Sequence, residues 1–295
     1  MTSMTLSKRN ILSPSRTDKR LAWLLGGCAS LTALVVALIL GFLLGESWPV
    51  LQHVALTHFF ADASWHPTQG LYNVMPMLTA TLLSSLGALL LAGPLGIASG
   101  LFMHYYAPPL LAGSYRRLIE LLAGIPSVVY GFWGLISLAP LVGRLHPPGV
   151  SLLTAILVLA LMVLPTVALI ADAAFAAIPT AYLRGAAALG LSRWGMIAGV
   201  VLPAARTGLI SGLLLAAGRA LGETMAVLMV AGNAVQQPHS LFDSVRTLTA
   251  NVALEMAYAM GDHRAALFVS GLALMLLVLL LVSMADVLGR KTAYA

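Results

Sequence analysis

The chain has 295 residues, of which 60% are hydrophobic and 9% charged, with a formal net charge of +6 and a mean hydropathy of +0.94. Soluble domains carry about a quarter charged residues, so this chain has too little polar surface to dissolve and enough apolar sequence to cross a bilayer several times. The positive charge does not indicate nucleic acid: the basic residues sit in short clusters beside apolar runs, as orientation signals do, and not along one stripe.

Lys8, Arg9, Arg16, Lys19 and Arg20 make a basic segment over 1–20, followed by an apolar run over 21–45. A signal peptide has an apolar core of about 7–15 residues. This run of about 25 residues, near 37 Å as helix, predicts a first transmembrane helix that is retained. Cys28 lies alone inside it, with no disulfide framework and no metal spacing. Segment 46–73 carries Trp48, Phe59, Phe60, Trp65 and Tyr72, residues suited to a membrane–water interface.

Five further spans are predicted at 74–102, 118–142, 151–171, 207–231 and 264–288, each reaching the roughly 20 residues needed to cross. Between them, 172–206 is long, Ala-rich and helix-like. Segment 233–263 shows a helical apolar pattern over 248–260, which predicts a short amphipathic or re-entrant helix. Residues 74–288 read as one membrane domain, with 289–295 as a tail. The fold class is therefore all-α integral membrane with six transmembrane helices. With the N-terminus inside, inward segments hold Lys8, Arg9, Arg16, Lys19, Arg20, Arg116, Arg117, Arg184, Arg193, Arg206, Arg290 and Lys291, and outward segments hold Arg144, Arg246 and Arg264. Twelve against three predicts both termini in the cytoplasm.

The chemistry of soluble enzymes is absent. None of Lys8, Lys19 and Lys291 sits in a G-x-x-x-x-G-K-[ST] loop, there is no H-E-x-x-H, and no acid pair stands beside a nucleophile. The seven histidines are scattered and read as solvated or interfacial.

Two features rise above this background. The first is Gly218-Arg219-Ala220-Leu221-Gly222-Glu223-Thr224, with Arg219 at the middle of the predicted fifth span. A charge at the bilayer centre costs at least about 2.5–3.5 kcal/mol. Glu223 follows one turn later, in the weaker order for an intrahelical pair, so the pair needs help from another helix, water or ligand. Gly208 and Gly212, like Gly218 and Gly222, have the spacing that lets a second backbone come close. Two readings stand: an ion pair that fixes helix packing, or an anion contact or gate in which the guanidinium takes an oxyanion in bidentate fashion. In the second, Glu223 holds Arg219 while the path is empty or latches the closed state, with Thr224 beside it.

The second feature is 184–203. It predicts two short helices, 182–189 and 193–200, with Pro179 opening the first, Gly190 ending it as a C′ glycine, Ser192 capping the second and Pro203 introducing the next span. Small side chains on a projecting helix suit it to another protein's groove; an ordinary amphipathic connector is the other reading.

Here the residues match a known pattern. Ala186, Ala187, Gly190 and Leu202-Pro203 resemble the coupling loop of ABC-importer permeases, E-A-A-x-x-x-G followed by I-x-L-P. Gly124-Ile125-Pro126-Ser127-Val128-Val129-Tyr130-Gly131-Phe132-Trp133-Gly134, the 218–227 stretch and Gly232-Asn233 resemble PstC-type phosphate permeases more than their PstA-type partners, over about 48–290. The resemblance implies a type-1 importer permease fold and helix-packing roles for Pro126, Ser127, Gly131, Gly218 and Gly222. It implies a second, PstA-like permease, a pair of PstB-like ATPases bound to the loop, and a PstS-like phosphate-binding protein outside. ATP and Mg²⁺ would enter through the ATPases, with no cofactor bound by this chain. Arg184 and Gly185 depart from the loop's usual Glu and Ala, so an ATPase contact there would have to be rebuilt.

Three alternatives remain open: a permease for another oxyanion such as molybdate, sulfate or phosphonate; an ion-coupled secondary transporter, which usually shows two related halves with broken helices; and a membrane-embedded enzyme, which needs convergent acids, histidines or a nucleophile.

Overall fold

A backbone crossing hydrocarbon must close its own hydrogen bonds, and residues 16–293, the part described by the computed structural model, are helical over most of their length. Lys8 and Arg9 lie outside the described residues, as do the side chains of Arg16, Lys19, Arg290 and Lys291. In chain order come α1 (Arg16–Leu51), α2 (His58–Ala61), the strands β1 (Trp65–His66) and β2 (Leu71–Tyr72), α3 (Met75–Leu101), α4 (Pro109–Ala123), α5 (Ser127–Trp133) and α6 (Ala139–Gly143). They are followed by α7 (Leu152–Ala176), α8 (Thr180–Ala188), α9 (Arg193–Met196), α10 (Leu202–Leu221), α11 (Met225–Val230), α12 (Leu248–Glu255) and α13 (Gly261–Ala293). π-helical turns at Phe102–Tyr106, Gly134–Leu138 and Ile197–Val201 extend α3, join α5 to α6 and join α9 to α10.

Among the described residues five helices are long and apolar enough to cross a membrane, and a sixth crossing requires counting α4 with Ser127–Gly143 as one span bent by 90°. The predicted spans 118–142 and 207–231 are therefore each corrected. The third is broken at 124–126, where Pro126 lacks the amide a continuing helix needs. The fifth stops at Leu221 and restarts at Met225. The fourth runs on to Ala176, so Asp172 belongs to the span and not to the inward connection. The short helix predicted over 248–260 is confined to Leu248–Glu255.

The core is a parallel pair, α3 beside α7. Small residues on α3 bring the backbones together: a Cβ on Gly96 would lie 2.7 Å from the Cβ of Val167, and one on Gly100 2.9 Å from that of Ala171. Ala80, Ala88 and Ala92 are buried against Leu159, Met162 and Val163. With no hydrophobic drive between helices in lipid, such close backbone approach supplies the dispersion contacts that hold them. Helix α10 packs antiparallel on α7 through Gly208 against Ala174 and Gly212 against Ile170.

Helix α1 is peripheral. It lies along α13, where Phe42 meets Phe268 edge-on at 5.6 Å, and its end is tied by Arg264 to Glu46 at 3.1 Å. The bundle closes at each end with its own apolar cluster. At one end Val50, Phe59, Trp65, Tyr72, Met77 and Leu248 join the hairpin to α12 and α13. At the other, Phe175, Ile178, Val201 and Ala205 support α8 and α9.

The two broken spans pack tightly at Gly131, where an added Cβ would stand 2.8 Å from the Cα of Ala226. Gly131→Val is expected to destabilise the detergent-solubilised chain by about 1–3 kcal/mol through overpacking, read as a lower thermal unfolding midpoint. Gly218→Ala, with open space around its Cα, should leave that midpoint unchanged or slightly raised.

Candidate functional site

The break between α10 and α11 sets where Arg219 stands. It occupies the last turn of α10, not the middle of a continuous span, and it is exposed. Among the described residues it makes no ion pair. The expected partner, Glu223, lies beyond the end of the helix, so the one-turn geometry that would bring the two together is lost. Its Oε1 instead accepts from the amide of Ala226 at 3.1 Å, capping the open start of α11, and its carbonyl accepts from Thr249 Oγ1 at 3.0 Å. Thr224 Oγ1 donates to the carbonyl of Gly222 at 3.3 Å. The guanidinium draws its local stabilisation from the unsatisfied carbonyls at the C-terminus of α10, whose partial negative charge favours a cation.

Around Arg219 the helix is two-faced. Gly212, Ala216 and Ala220 are buried, while Ser211, Leu215, Arg219 and Gly222 are uncovered. Among the described residues no atom of another helix lies within 4 Å of a Cβ placed on Gly218 or Gly222, whereas Gly208 and Gly212 pack against α7. One arginine therefore rises from an otherwise small and apolar open face.

The second broken span faces this one. Pro126 precedes the first turn of α5 and Ser127 begins it. The Tyr130 hydroxyl reaches back to donate to the carbonyl of Leu122 at 2.8 Å, satisfying an acceptor that the bend frees. Gly131 presents bare backbone to Ala226.

Of the two predicted short helices the first stands alone as α8, while the second, α9, runs on through the π-helical turn into α10 as one helix over Arg193–Leu221, so the fifth span begins before Pro203. Gly190 adopts φ +70°, the left-handed conformation that ends a helix most cheaply at glycine. The amide of Leu191 bonds the carbonyl of Ala186 at 3.2 Å, and Ser192 Oγ accepts from Gly195 at 3.1 Å. Ala186 is buried; Arg184, Gly185, Ala187, Gly190 and Pro203 are exposed, and Leu202 is half-buried. The outer face of α8 is thus free, small and carries one cation.

Two buried carboxylates were not singled out from sequence. Glu255, 8% exposed, receives Arg246 Nη1 at 2.6 Å on one oxygen, and on the other Trp65 Nε1 at 2.9 Å and His263 Nε2 at 2.8 Å. Arg246 also donates to the carbonyl of Asn233 and to Asn251 Oδ1. Burial pushes the pKa of Glu255 up, but the bonds from Trp65 and His263 and the Arg246 guanidinium outweigh it and hold the carboxyl below its ordinary 4.5. Asp172, 1% exposed, lies at the opposite end of the bundle between Arg116 and His104. His263, with its side chain 10% exposed, is therefore a structural partner of Glu255, which corrects the solvated reading for it, while His104 pairs with Asp172 and stays exposed. The available signal was an acid alone in an apolar helical pattern, for which an inward-facing, paired position is the default.

The family model described as binding-protein-dependent transport system inner membrane component matches residues 92–294. The chain is 38% identical over 209 residues to the probable ABC transporter permease protein YqgH of Bacillus subtilis, covering 70% of this chain and 68% of that protein. It is 34% identical to the phosphate transport system permease protein PstC of Mesorhizobium japonicum, covering 86% and 85%. Among solved structures, a bacterial ABC transporter involved in import of the acidic polysaccharide alginate superposes with a TM-score of 0.62 at 17% identity, covering 92% of this chain and 99% of that one. The MetNI methionine ABC transporter in an inward-facing conformation gives 0.57 at 18%, covering 74% and 94%. These last two are likenesses of fold.

Glu255→Gln removes the charge that faces Arg246 and leaves donors short of an acceptor. Breaking a buried pair in this way costs about 3–5 kcal/mol, so the variant should unfold well below the parent at neutral pH. Because the folded carboxyl titrates lower than the unfolded one, its contribution is complete above pH 4.5 and fades as the pH falls below it. Acid unfolding curves of parent and variant should therefore converge toward low pH.

Proposed function

This chain belongs to the family of binding-protein-dependent transport system inner membrane components, and from that premise we propose that it is the permease subunit of an ATP-driven importer of inorganic phosphate. It is a multi-pass inner membrane protein and a transport component. The observation that carries the choice of cargo is Arg219: a guanidinium uncovered at the end of α10, without an acid partner among the described residues. Such a group binds an oxyanion through paired, charge-assisted hydrogen bonds. The relatives named as phosphate transport system permeases support the same cargo.

The twelve-to-three division of basic residues supports cytoplasmic termini, with α8 and α9 projecting inward and the hairpin of β1 and β2 facing out. In this reading the uncovered face of α10 meets a second, PstA-like permease, and the translocation path runs between them past Arg219, Glu223 and Thr224. A pair of PstB-like ATPases grips Arg184, Gly185, Ala187 and Gly190, with Ala186 packed beneath them and Leu202-Pro203 leading into α10. ATP and Mg²⁺ are bound there and not by this chain. A PstS-like protein delivers phosphate to the outer side. The resting pore faces inward. Docking of the loaded binding protein and closure of the ATPases on ATP push α8 and α9, the spans open outward, phosphate passes Arg219, and hydrolysis resets them. Two remote events bias one bistable element, as alternating access requires.

Glu223 serves this path by staying occupied with α11. A carboxylate turned toward Arg219 would compete with the cargo; one that caps Ala226 leaves the guanidinium open.

Arg219→Gln is expected to lower labelled phosphate uptake by about 10- to 150-fold at matched membrane levels, the equivalent of about 1.5–3 kcal/mol for hydrogen bonds to a charged group, while Arg219→Lys retains part of it. Undiminished uptake in Arg219→Gln removes that residue from the path. A cysteine at Ala187, in a Cys28→Ser background, should cross-link to the ATPase groove in the assembled complex; an assembled complex that never cross-links there refutes the docking of α8.

A further inference from the structure

The end of the bundle from which α8 and α9 project holds a carboxylate with no part in the transport path. Asp172 stands one turn before the end of α7 and is fully buried. One of its oxygens meets His104 Nδ1 at 3.2 Å, and the other pairs with Arg116 Nη2. His104 lies in the π-helical turn that ends the α3 span, and Arg116 lies in α4. A single buried charge therefore fastens three segments together. The α3 backbone is tight against it: a Cβ on Gly100 would lie 3.1 Å from the amide nitrogen of Asp172.

On one side of Asp172 stands the projecting segment. Phe175 and Ile178 follow it, and with Val201 and Ala205 they form the cluster on which Leu183 of α8 packs. Tyr105, next to His104, lays its ring 6.0 Å from that of Phe175. A push on α8 is delivered to the last turn of α7. On the other side, α4 is held through Arg116, and by Tyr115 to Ser99 at 3.0 Å. It then leads through the 90° bend into α5, whose Gly131 touches Ala226 just beyond Arg219 and the break.

The pair is lopsided. Asp172 has no access to water, whereas the Arg116 side chain is 49% exposed. Were Arg116 to leave for solvent, Asp172 would stay behind as a buried charge facing only His104. That cost holds the contact closed.

We propose that Asp172 is a positioning residue that couples α8 and α9 to the bent span of α4 and α5, acting through Arg116 and never on the cargo. The proposal rests on the transport reading above, and supplies the link by which movement at the ATPase side reaches the path.

The test uses the complete complex, with its partner subunits, in liposomes. ATP hydrolysis and ATP-dependent uptake of labelled inorganic phosphate are measured together. Asp172→Asn keeps the shape and loses the charge. It should co-purify with all partners and hydrolyse ATP, but spend at least about fivefold more ATP per phosphate moved, the lower range of coupling between sites. Arg116→Gln, altered on the solvent side, should uncouple in the same way; Arg116→Lys should restore most of the ratio. The double variant should be no worse than Asp172→Asn alone, because both remove one link. If Asp172→Asn fails to assemble, the two Arg116 variants decide the matter alone. An unchanged ratio in Arg116→Gln, or additive losses in the double variant, overturns the proposal.

A second readout needs no cargo. Spin labels at positions 118 and 181, the latter on α8 outside the docking residues, should keep one separation with and without nucleotide in the parent, and lose it on nucleotide addition in Arg116→Gln. A separation indifferent to the substitution overturns the anchor. A parent complex that takes up no phosphate while showing this spin-label behaviour overturns the choice of cargo and leaves the anchor standing.

Discussion

Each break in a membrane-embedded helix frees amides and carbonyls that water cannot reach, and the arrangement of this protein follows from how those groups are satisfied. At the first break Tyr130 returns its hydroxyl to Leu122. At the second, the Glu223 carboxylate takes the amide of Ala226, and Thr249 takes the carbonyl of Glu223. The short helix after that break is closed by Asn233, whose side-chain amide donates to the carbonyl of Leu228 at 2.8 Å while its backbone turns left-handed. With these bonds in place, α5 and α11 can be short, irregularly flanked and still packed backbone to backbone at Gly131 and Ala226. Without them the inner pair of half-spans has no reason to exist at membrane depth.

The same bookkeeping explains which parts of the molecule could be read from sequence. Four spans are long continuous apolar runs, and hydropathy alone places them. Gly190, Ser192 and Pro179 are local signals with local consequences, and the bounds of α8 and the start of α9 follow them closely. The two broken spans escaped because hydropathy counts residues and does not see backbone: 118–142 and 207–231 stay apolar through Pro126 and through Gly222, although the chain turns at both. The pairing of Arg219 with Glu223 is a helical inference, and it fails where the helix ends.

The buried acids escaped for a different reason. Asp172 and Glu255 take their meaning from partners that are remote in sequence: His104 and Arg116 for one, Trp65 with the nearer Arg246 and His263 for the other. No spacing rule reaches from 65 to 255. What sequence did offer was the oddity of a lone acid in an apolar helical context, which demands a partner without naming it. Segment 233–263 illustrates the point, since Glu255 holds the hairpin, the strap before α12 and the start of α13 through three donors on two oxygens, and one residue thereby orders a region that reads as loop.

Placed together, the two acids and the arginine divide the charge of the membrane domain by task. Asp172 and Glu255 sit at opposite ends of α3 with their partners in hand, so each end of the bundle is pinned by an ion pair that would be costly to break by deletion of one member. Arg219 lies between breaks, held by a helix terminus and by no carboxylate among the described residues. A charge fully neutralised by protein has little left to offer a passing anion, whereas a charge balanced only by backbone dipoles keeps its donors free. The breaks are what permit this. A continuous fifth helix would have set Glu223 one turn beyond Arg219 and closed the pair, and the guanidinium would then have been one more structural cation beside Arg116, Arg246 and Arg264.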